Sequence, residues 1–256
     1  MKRYFVYLFF YSFISCHLSV EDKVYNSGIH IIPEPLQLEV RQGVFSVSNS
    51  TTLSLENGDW EKEASILMNK LEKASGYKLS FSDNSSNNCI RFKTNENLGE
   101  EGYEIEVDDR QISLSAATEK GMFYAIQTIF QLLPAEIESA KPLKMKLSVP
   151  AVKITDHPRF SYRGVMIDVS RHFFTVEELK KQISVMAMLK LNRLHLHLTD
   201  NQGWRIAIDK YPQLVECSAV QETYNEELYG PCYYTKEDIK ELVVYADCHH
   251  IEVIPE

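Results

Sequence analysis

The sequence predicts two structural classes in one chain, an α+β layer domain followed by a parallel βα segment. Three observations carry this. From Ile31 to about Leu133 the apolar residues alternate in short runs, interrupted by two stretches with helical spacing. From about Ile154 the rhythm lengthens into strand, helix, strand, helix, strand. A chain of 256 residues with 44% hydrophobic content can bury one sizeable core or two modest ones. The first rhythm makes a sheet covered on one side by helices. The second makes right-handed crossovers and a parallel sheet. The expected domains are 21–153 and 157–256, behind a leader over 1–16.

In the first section the strand candidates are Leu36 to Val40, Val44 to Val47, Lys78 to Ser82, Ile90 to Phe92, Tyr103 to Val107 and Ile112 to Ala116. Trp60 to Ser75 reads as a helix because Ala64, Leu67, Met68 and Leu71 share a stripe. Glu119 to Leu133 does so through Met122, Ala125, Ile126, Ile129, Phe130 and Leu133. Asp108 to Gln111 makes a hairpin turn, and Pro134 ends the second helix.

In the second section the strands are Tyr162 to Val169, Leu191 to Thr199 and Ile251 to Pro255. Thr175-Val176-Glu177-Glu178 and Thr235-Lys236-Glu237-Asp238 open the intervening helices with a hydroxyl and, three residues on, a carboxylate. Their apolar faces are Leu179, Ile183, Met186 and Ala187, then Ile239, Leu242, Val243 and Ala246. Three strands cannot close a barrel. No internal repeat or low-complexity tract is present.

Lys2 and Arg3 precede an apolar run from Tyr4 to Ile14 and then Ser15-Cys16. Eleven residues are too few to span a hydrocarbon core that needs about 20, but they suit a secretory signal, so export is expected. Phe13-Ile14-Ser15-Cys16 resembles a bacterial lipobox. Cys16 is therefore the lipidation candidate, with simple cleavage nearby as the alternative. Export places a bacterial protein in the periplasm or, lipid-anchored, on the outer membrane surface; a eukaryotic one is secreted or lysosomal. Net charge is -9, with 36 acidic against 27 basic residues and no basic cluster beyond Lys2-Arg3, which argues against nucleic acid as a partner. The remaining Cys89, Cys217, Cys232 and Cys248 are too few for a disulfide scaffold and fit no zinc motif. Cys217 and Cys232 bracket a loop and either pair or stay as buried thiols.

Parallel βα sheets place ligands at the C-terminal ends of their strands. Asp200 follows the second strand immediately, and Asp168 lies near the end of the first. Arg163 lies at the start of the first strand, a less typical place for a ligand contact. On spacing alone it is a buried ion-pair partner, although a guanidinium is also a good fork for paired sugar hydroxyls. His195 and His197 point to the same side of their strand. With Asp200 they are the donor set of a metal-dependent hydrolase reading, but no further ligands are evident. The residues therefore read as core histidines, and no metal is expected. His249-His250 follow a helix, where a pair is ordinarily solvated. Trp204 is either a stacking platform or a loop anchor. There is no Gly-rich phosphate loop, no G-x-S-x-G elbow and no H-E-x-x-H, and no two carboxylates stand out as a glycosidase pair.

Longer motifs add a family resemblance. Phe160-Ser161-Tyr162-Arg163-Gly164, Asp168-Val169-Ser170-Arg171-His172-Phe173, the run K-L-N-R-L-H-L-H-L-T-D-N-Q-G-W-R and G-P-C-Y-Y-T-K-E-D-I-K-E-L-V-V-Y-A closely resemble glycoside hydrolase family 20, the β-N-acetylhexosaminidases. Ile32-Pro33-Glu34-Pro35 with Gly43-Val44-Phe45, and Gly121 to Thr128, are similar to that family's accessory N-terminal domain. The resemblance covers nearly the whole chain after the leader. It implies an α+β N-terminal domain followed by an incomplete (β/α)8 TIM barrel, of which this chain holds the first three strands and two helices.

The implied activity is removal of terminal β-linked N-acetylglucosamine or N-acetylgalactosamine with retention. The sugar's own acetamido oxygen acts as nucleophile, and no cofactor is used. Carried over by motif position, Arg163 resembles the arginine that grips the sugar's outer hydroxyls. Asp200 resembles the aspartate that supports a histidine of the catalytic hydrogen-bond network, and His195 and His197 stay structural. The family's catalytic Asp-Glu pair is expected beyond Glu256, so no catalytic residue is assigned within the chain, which contains no Asp-Glu dipeptide. Turnover by this chain alone is not expected, since general-acid catalysis is typically worth about 10² to 10⁴ in rate. A non-catalytic carbohydrate-binding or interaction protein is the alternative.

Overall fold

The computed structural model describes residues 28–56, 59–82, 87–139, 146–218, 221–222 and 228–256. The leader with Cys16 lies outside the described residues, as does the Cys217 side chain on which pairing with Cys232 turns. The elements in chain order are β1 (Gln37–Ser46), β2 (Thr52–Leu55), α1 (Glu61–Ser75), β3 (Ser80–Phe81), β4 (Cys89–Thr94), β5 (Tyr103–Val107), β6 (Gln111–Ala116), α2 (Glu119–Leu132) and β7 (Ser148–Asp156). There follow β8 (Gly164–Asp168), α3 (Val176–Met188), β9 (Arg193–His197), β10 (Thr199–Asp200), β11 (Gly203–Trp204), α4 (Gln213–Ser218), β12 (Gln221–Glu222), β13 (Leu228–Tyr229), α5 (Lys236–Asp247) and β14 (Glu252–Pro255).

The first domain is a seven-stranded mixed sheet in the order β1-β7-β5-β6-β4-β2-β3. Its inward residues, among them Phe45, Leu53, Ile90, Phe92, Ile105, Val107 and Leu114, are fully buried beneath α1 and α2. The two short strands expected over Leu36 to Val47 form one strand, β1, whose pairing with β7 shifts register between Val40 and Val44. Gly43 lies in that interval at φ +113°, open to glycine but strained for a side chain. β7 has no counterpart among the strands expected from sequence. Pro150 interrupts its alternation, and the sheet accepts it because that part of β7 pairs with β1 alone, while β5 joins only from Lys153 to Asp156. The expected domain end at 153 thus falls inside a strand that runs to Asp156. The Asp108 carboxylate closes the β5–β6 turn by accepting from the amides of Arg110 and Gln111 at 2.7 and 2.8 Å.

The second domain contains a parallel three-stranded sheet, β14-β9-β8, crossed by α3 and α5. Both expected capping boxes are present: Thr175 accepts from the Glu178 amide and Thr235 from the Asp238 amide, each with the reciprocal carboxylate bond. Both helices leave through a left-handed residue, Lys190 (φ 58°) and His250 (φ 55°), after which the chain turns directly into a strand. The two outer strands are only partly covered. Val165 and Met166 on β8 are exposed, as are Val243 and Val244 on α5.

Between the domains lies α2, buried on every side from Gly121 to Ile129. A helix apolar all round needs partners on both faces, and α2 packs on its own sheet and on α3. Phe123 meets the His250 ring edge-on at 5.0 Å between centroids. His249 and His250 are therefore interface residues, contrary to the expectation of a solvated pair, and burial pushes the His250 pKa down. Among the described residues no helix is long and apolar enough to cross a membrane.

Candidate functional site

Parallel pairing brings the C-terminal ends of three strands side by side. Asp168, the last residue of β8, is in register with His197 on β9, and β14 delivers Glu256 alongside through backbone bonds between Glu256 and both Leu196 and Leu198. The loop leaving β8 carries Arg171, and β10 carries Asp200. Arg171 bridges two carboxylates: its amide donates to Asp168 Oδ1 at 3.0 Å, its Nη1 to Asp168 Oδ2, and its Nη2 to Asp200 Oδ2 at 2.6 Å. Asp200 Oδ2 also lies 3.1 Å from His197 Nε2, while Glu256 Oε2 lies 3.0 Å from His197 Nδ1 and 2.8 Å from His195 Nε2. The result is one continuous polar chain across the strand ends.

The charges in this chain decide what it can do. Hydrogen bonds with the Asn201 amide and His197, reinforced by the Arg171 charge, hold the Asp200 carboxyl below the usual carboxylate range. Burial pushes Asp168 up, but its bonds to Arg171 outweigh that, and His197 and His195 draw Glu256 down. Each of these groups is thus an acceptor at neutral pH, unsuited to donate a proton as a general acid. A guanidinium has five N–H donors. Arg171 spends two of them here and keeps its side chain 55% exposed, so three remain without a protein partner among the described residues.

Arg163 stands at the other end of β8, and it corrects an expectation. Its Nε donates to Lys190 O at 2.8 Å, Nη1 to Glu101 Oε2 at 3.0 Å and Phe160 O at 2.6 Å, and Nη2 to Glu101 Oε1 and the Tyr124 hydroxyl, both at 2.9 Å. All five donors are spent, in a bidentate pair whose side chains are only 13% and 18% exposed. Nothing is left for a sugar. The assignment of Arg163 as a substrate contact is overturned, and the ion-pair reading of its position stands. Its side-chain partners Glu101 and Tyr124 come from the first domain, whereas Phe160 O and Lys190 O belong to the second, so it fastens the foot of the parallel sheet to the first domain. Asn192 Nδ2 joins the same knot through Glu101 Oε1 at 3.2 Å. Beside it, Lys190 donates to the Tyr103 hydroxyl at 2.9 Å and lies 3.6 Å from Asp156.

The metal reading built on His195, His197 and Asp200 fits poorly. His197 has both ring nitrogens directed at carboxylates, and Asp200 shares its Oδ2 with a guanidinium, whose charge would repel a cation bound there. Among the described residues, no group of three or more His, Cys, Asp or Glu is arranged to hold a metal. Trp204 anchors its loop through an indole N–H bond to Ile206 O at 2.8 Å. Arg205, 1% exposed, had no assigned role. Its Nε and Nη2 donate to Ser170 O at 3.1 and 2.9 Å and its Nη1 to Cys232 O at 3.1 Å, fixing the residue next to Arg171. Gly203 permits this, since a Cβ there would meet the Arg205 guanidinium carbon at 2.5 Å. A cavity of about 560 Å³ between α1, α2, α3 and the end of α5 shares no residue with the strand ends.

Comparison with known proteins decides the family. Residues 28–157 match the model for glycosyl hydrolase family 20, domain 2, and residues 160–256 match that for the glycosyl hydrolase family 20 catalytic domain. The chain belongs to glycoside hydrolase family 20. A β-hexosaminidase from Porphyromonas gingivalis is 41% identical over 236 residues, covering 91% of this chain and 30% of the relative. The family 20 β-N-acetylhexosaminidase of Streptomyces coelicolor superposes with a TM-score of 0.80 at 35% identity, over 88% of this chain and 45% of that one. The family 20 exo-β-N-acetylglucosaminidase of Vibrio harveyi, solved with N-acetylglucosamine, gives 0.76 at 31% identity, over 89% and 36%. The chain therefore spans less than half the length of these relatives. Family 20 accounts for the two-part architecture, an N-terminal domain joined to a TIM-barrel-like domain.

Proposed function

We propose that this chain supplies the sugar-receiving half of an exo-β-N-acetylhexosaminidase site. That site hydrolyses terminal non-reducing N-acetylhexosamine residues by a substrate-assisted, retaining mechanism. The observation that carries the reading is Arg171, pinned at the strand ends by Asp168 and Asp200 with donors to spare. A planar fork held rigid on one side and open on the other suits a pair of neighbouring sugar hydroxyls. The ionised Asp168 and Asp200 accept from those hydroxyls, so Asp200 keeps its assignment as a sugar-site residue and Arg171 replaces Arg163. N-acetylglucosamine is the favoured sugar, since a family 20 relative was solved with it.

The remaining roles lie elsewhere in such a site. The acetamido oxygen of the substrate attacks the anomeric carbon, and a protonated carboxyl must deliver a proton to the leaving oxygen. Asp168, Asp200 and Glu256 are all held in the ionised form and cannot be that donor. Among the described residues, the carboxyl whose pKa burial raises on balance, Glu63, sits on α1 of the first domain. The exposed edges of β8 and β14 are where further strands would complete the barrel and bring the acid with them. Export, with Cys16 lipidated or cleaved off, places the site where glycans are met.

Titration calorimetry with N-acetylglucosamine tests the reading. Weak binding, lost at least tenfold in Arg171→Ala and retained in Arg163→Lys, is expected, with no release of nitrophenol from an aryl β-N-acetylglucosaminide by residues 17–256. Binding insensitive to Arg171→Ala would reject it.

A further inference from the structure

His197 makes a contact pattern that the sugar-site reading leaves unused. Its Nδ1 faces Glu256 Oε2 at 3.0 Å and its Nε2 faces Asp200 Oδ2 at 3.1 Å. A neutral imidazole owns one N–H, so between two ionised carboxylates it donates to one and turns a lone pair on the other; only the imidazolium donates to both. The groups facing the ring come from every neighbouring element: Asp168 ends β8, Asp200 lies on β10, Glu256 follows β14, and His195 shares β9 and reaches Glu256 at 2.8 Å. Arg171 contributes one positive charge, and it sits on Asp168 and Asp200. Three carboxylates against one guanidinium leave the cluster short of positive charge, which a second proton on His197 supplies. Consistent with this, the bonds to Glu256 and then Asp200 raise the His197 pKa from its ordinary value, with Asp168 adding to the effect.

From this geometry we infer that His197 is a positioning residue that works as an imidazolium: it bridges Glu256 and Asp200 and, through Asp200, keeps Arg171 aimed at the sugar. The inference rests on Arg171 as the sugar contact. When the ring loses a proton, one bridge opens whichever nitrogen keeps its hydrogen. In either tautomer Asp200 Oδ2 then faces an uncharged ring and is held chiefly by Arg171 and, through Oδ1, by the Asn201 amide at 2.7 Å. Asp200 then loses its ring donor, when the hydrogen stays on Nδ1, or keeps only a neutral one, when it stays on Nε2; the counterpart of the arginine fork is held less firmly, and recognition weakens as pH rises.

The test uses the whole chain, labelled with nitrogen-15, between pH 5 and 9. The His197 ring is expected to titrate above the ordinary histidine value of about 6.5, and the Arg171 Nε–H signal to move with the same midpoint. N-acetylglucosamine affinity is expected to fall about tenfold across it. His197→Gln should flatten the Arg171 response and the affinity over that window. Should that variant fail to fold, Asp200→Asn and Glu256→Gln should each lower the His197 midpoint. A His197 midpoint at or below the ordinary value, or an Arg171 signal indifferent to it, overturns the inference. Coupled titration without sugar binding at any pH supports the bridge and instead rejects Arg171 as the sugar contact.

Discussion

Two arginines at opposite ends of the strand β8 have opposite fates. Arg163 spends all five N–H groups on partners that include Glu101 and Tyr124 of the first domain, whereas Arg171 spends two and leaves its side chain 55% exposed. Both pair with carboxylates, so charge alone does not distinguish them. What distinguishes them is the count of donors left over. A saturated guanidinium fastens; an unsaturated one is free to bind. Position along a parallel strand sets which role is available, because the foot of this sheet is covered by the first domain and its mouth is not.

The largest effect is expected at the foot. Arg163→Ala would strand the Glu101 carboxylate, which is 18% exposed, against Tyr124 and Asn192, and should cost about 3 kcal/mol in denaturant unfolding. Its pH dependence sharpens the point. Burial pushes Glu101 up, but the bonds from Arg163 hold its pKa below the ordinary value. In the native chain it therefore contributes stability that is present above the unfolded pKa and lost as pH falls through the lower folded one. Without Arg163 burial dominates and the sign reverses, so the variant should gain stability from this group on acidification. A variant with the native acid profile would show that the pair is not coupled.

At the mouth the expected pattern is the converse. Arg171→Ala should lower N-acetylglucosamine affinity at least tenfold while changing unfolding free energy by about 1 kcal/mol or less, because its ion pairs are solvent-accessible. A large loss of stability with unchanged affinity would make Arg171 a second fastener and erase the contrast. The mouth groups also titrate in two directions. Asp168, Asp200 and Glu256 have lowered pKa values, so their stabilisation fades as pH falls through the folded values. His197 has a raised one, so its contribution is complete below about 6.5 and fades as pH rises through the folded value.

The smallest effect concerns Trp204. Trp204→Phe keeps an aromatic face and loses the N–H bond to Ile206 O, which should cost about 1 kcal/mol of stability and leave sugar affinity unchanged. A drop in affinity with no loss of stability would restore the stacking-platform reading.

The fold was largely legible because its signals are local. Threonine three residues before a carboxylate marks the start of α3 and of α5, and alternation marks β5 and β6. β7 was not, because Pro150 breaks its pattern and only the partial pairing with β5 makes it tolerable. In the site, Asp200 was legible from its place directly after a strand. Arg163 was misassigned because the family motif outweighed its position at the start of a strand, and because its partner Glu101 is 62 residues away in sequence. The signal that would have found Arg171 was present: it lies three residues beyond Asp168, in the loop leaving the C-terminal end of β8.

The most direct measurement follows both arginine Nε–H resonances in one nitrogen-15 spectrum while N-acetylglucosamine is added to the chain. The Arg171 signal is expected to shift in proportion to saturation while the Arg163 signal stays still. A shift at Arg163 with none at Arg171 would contradict this.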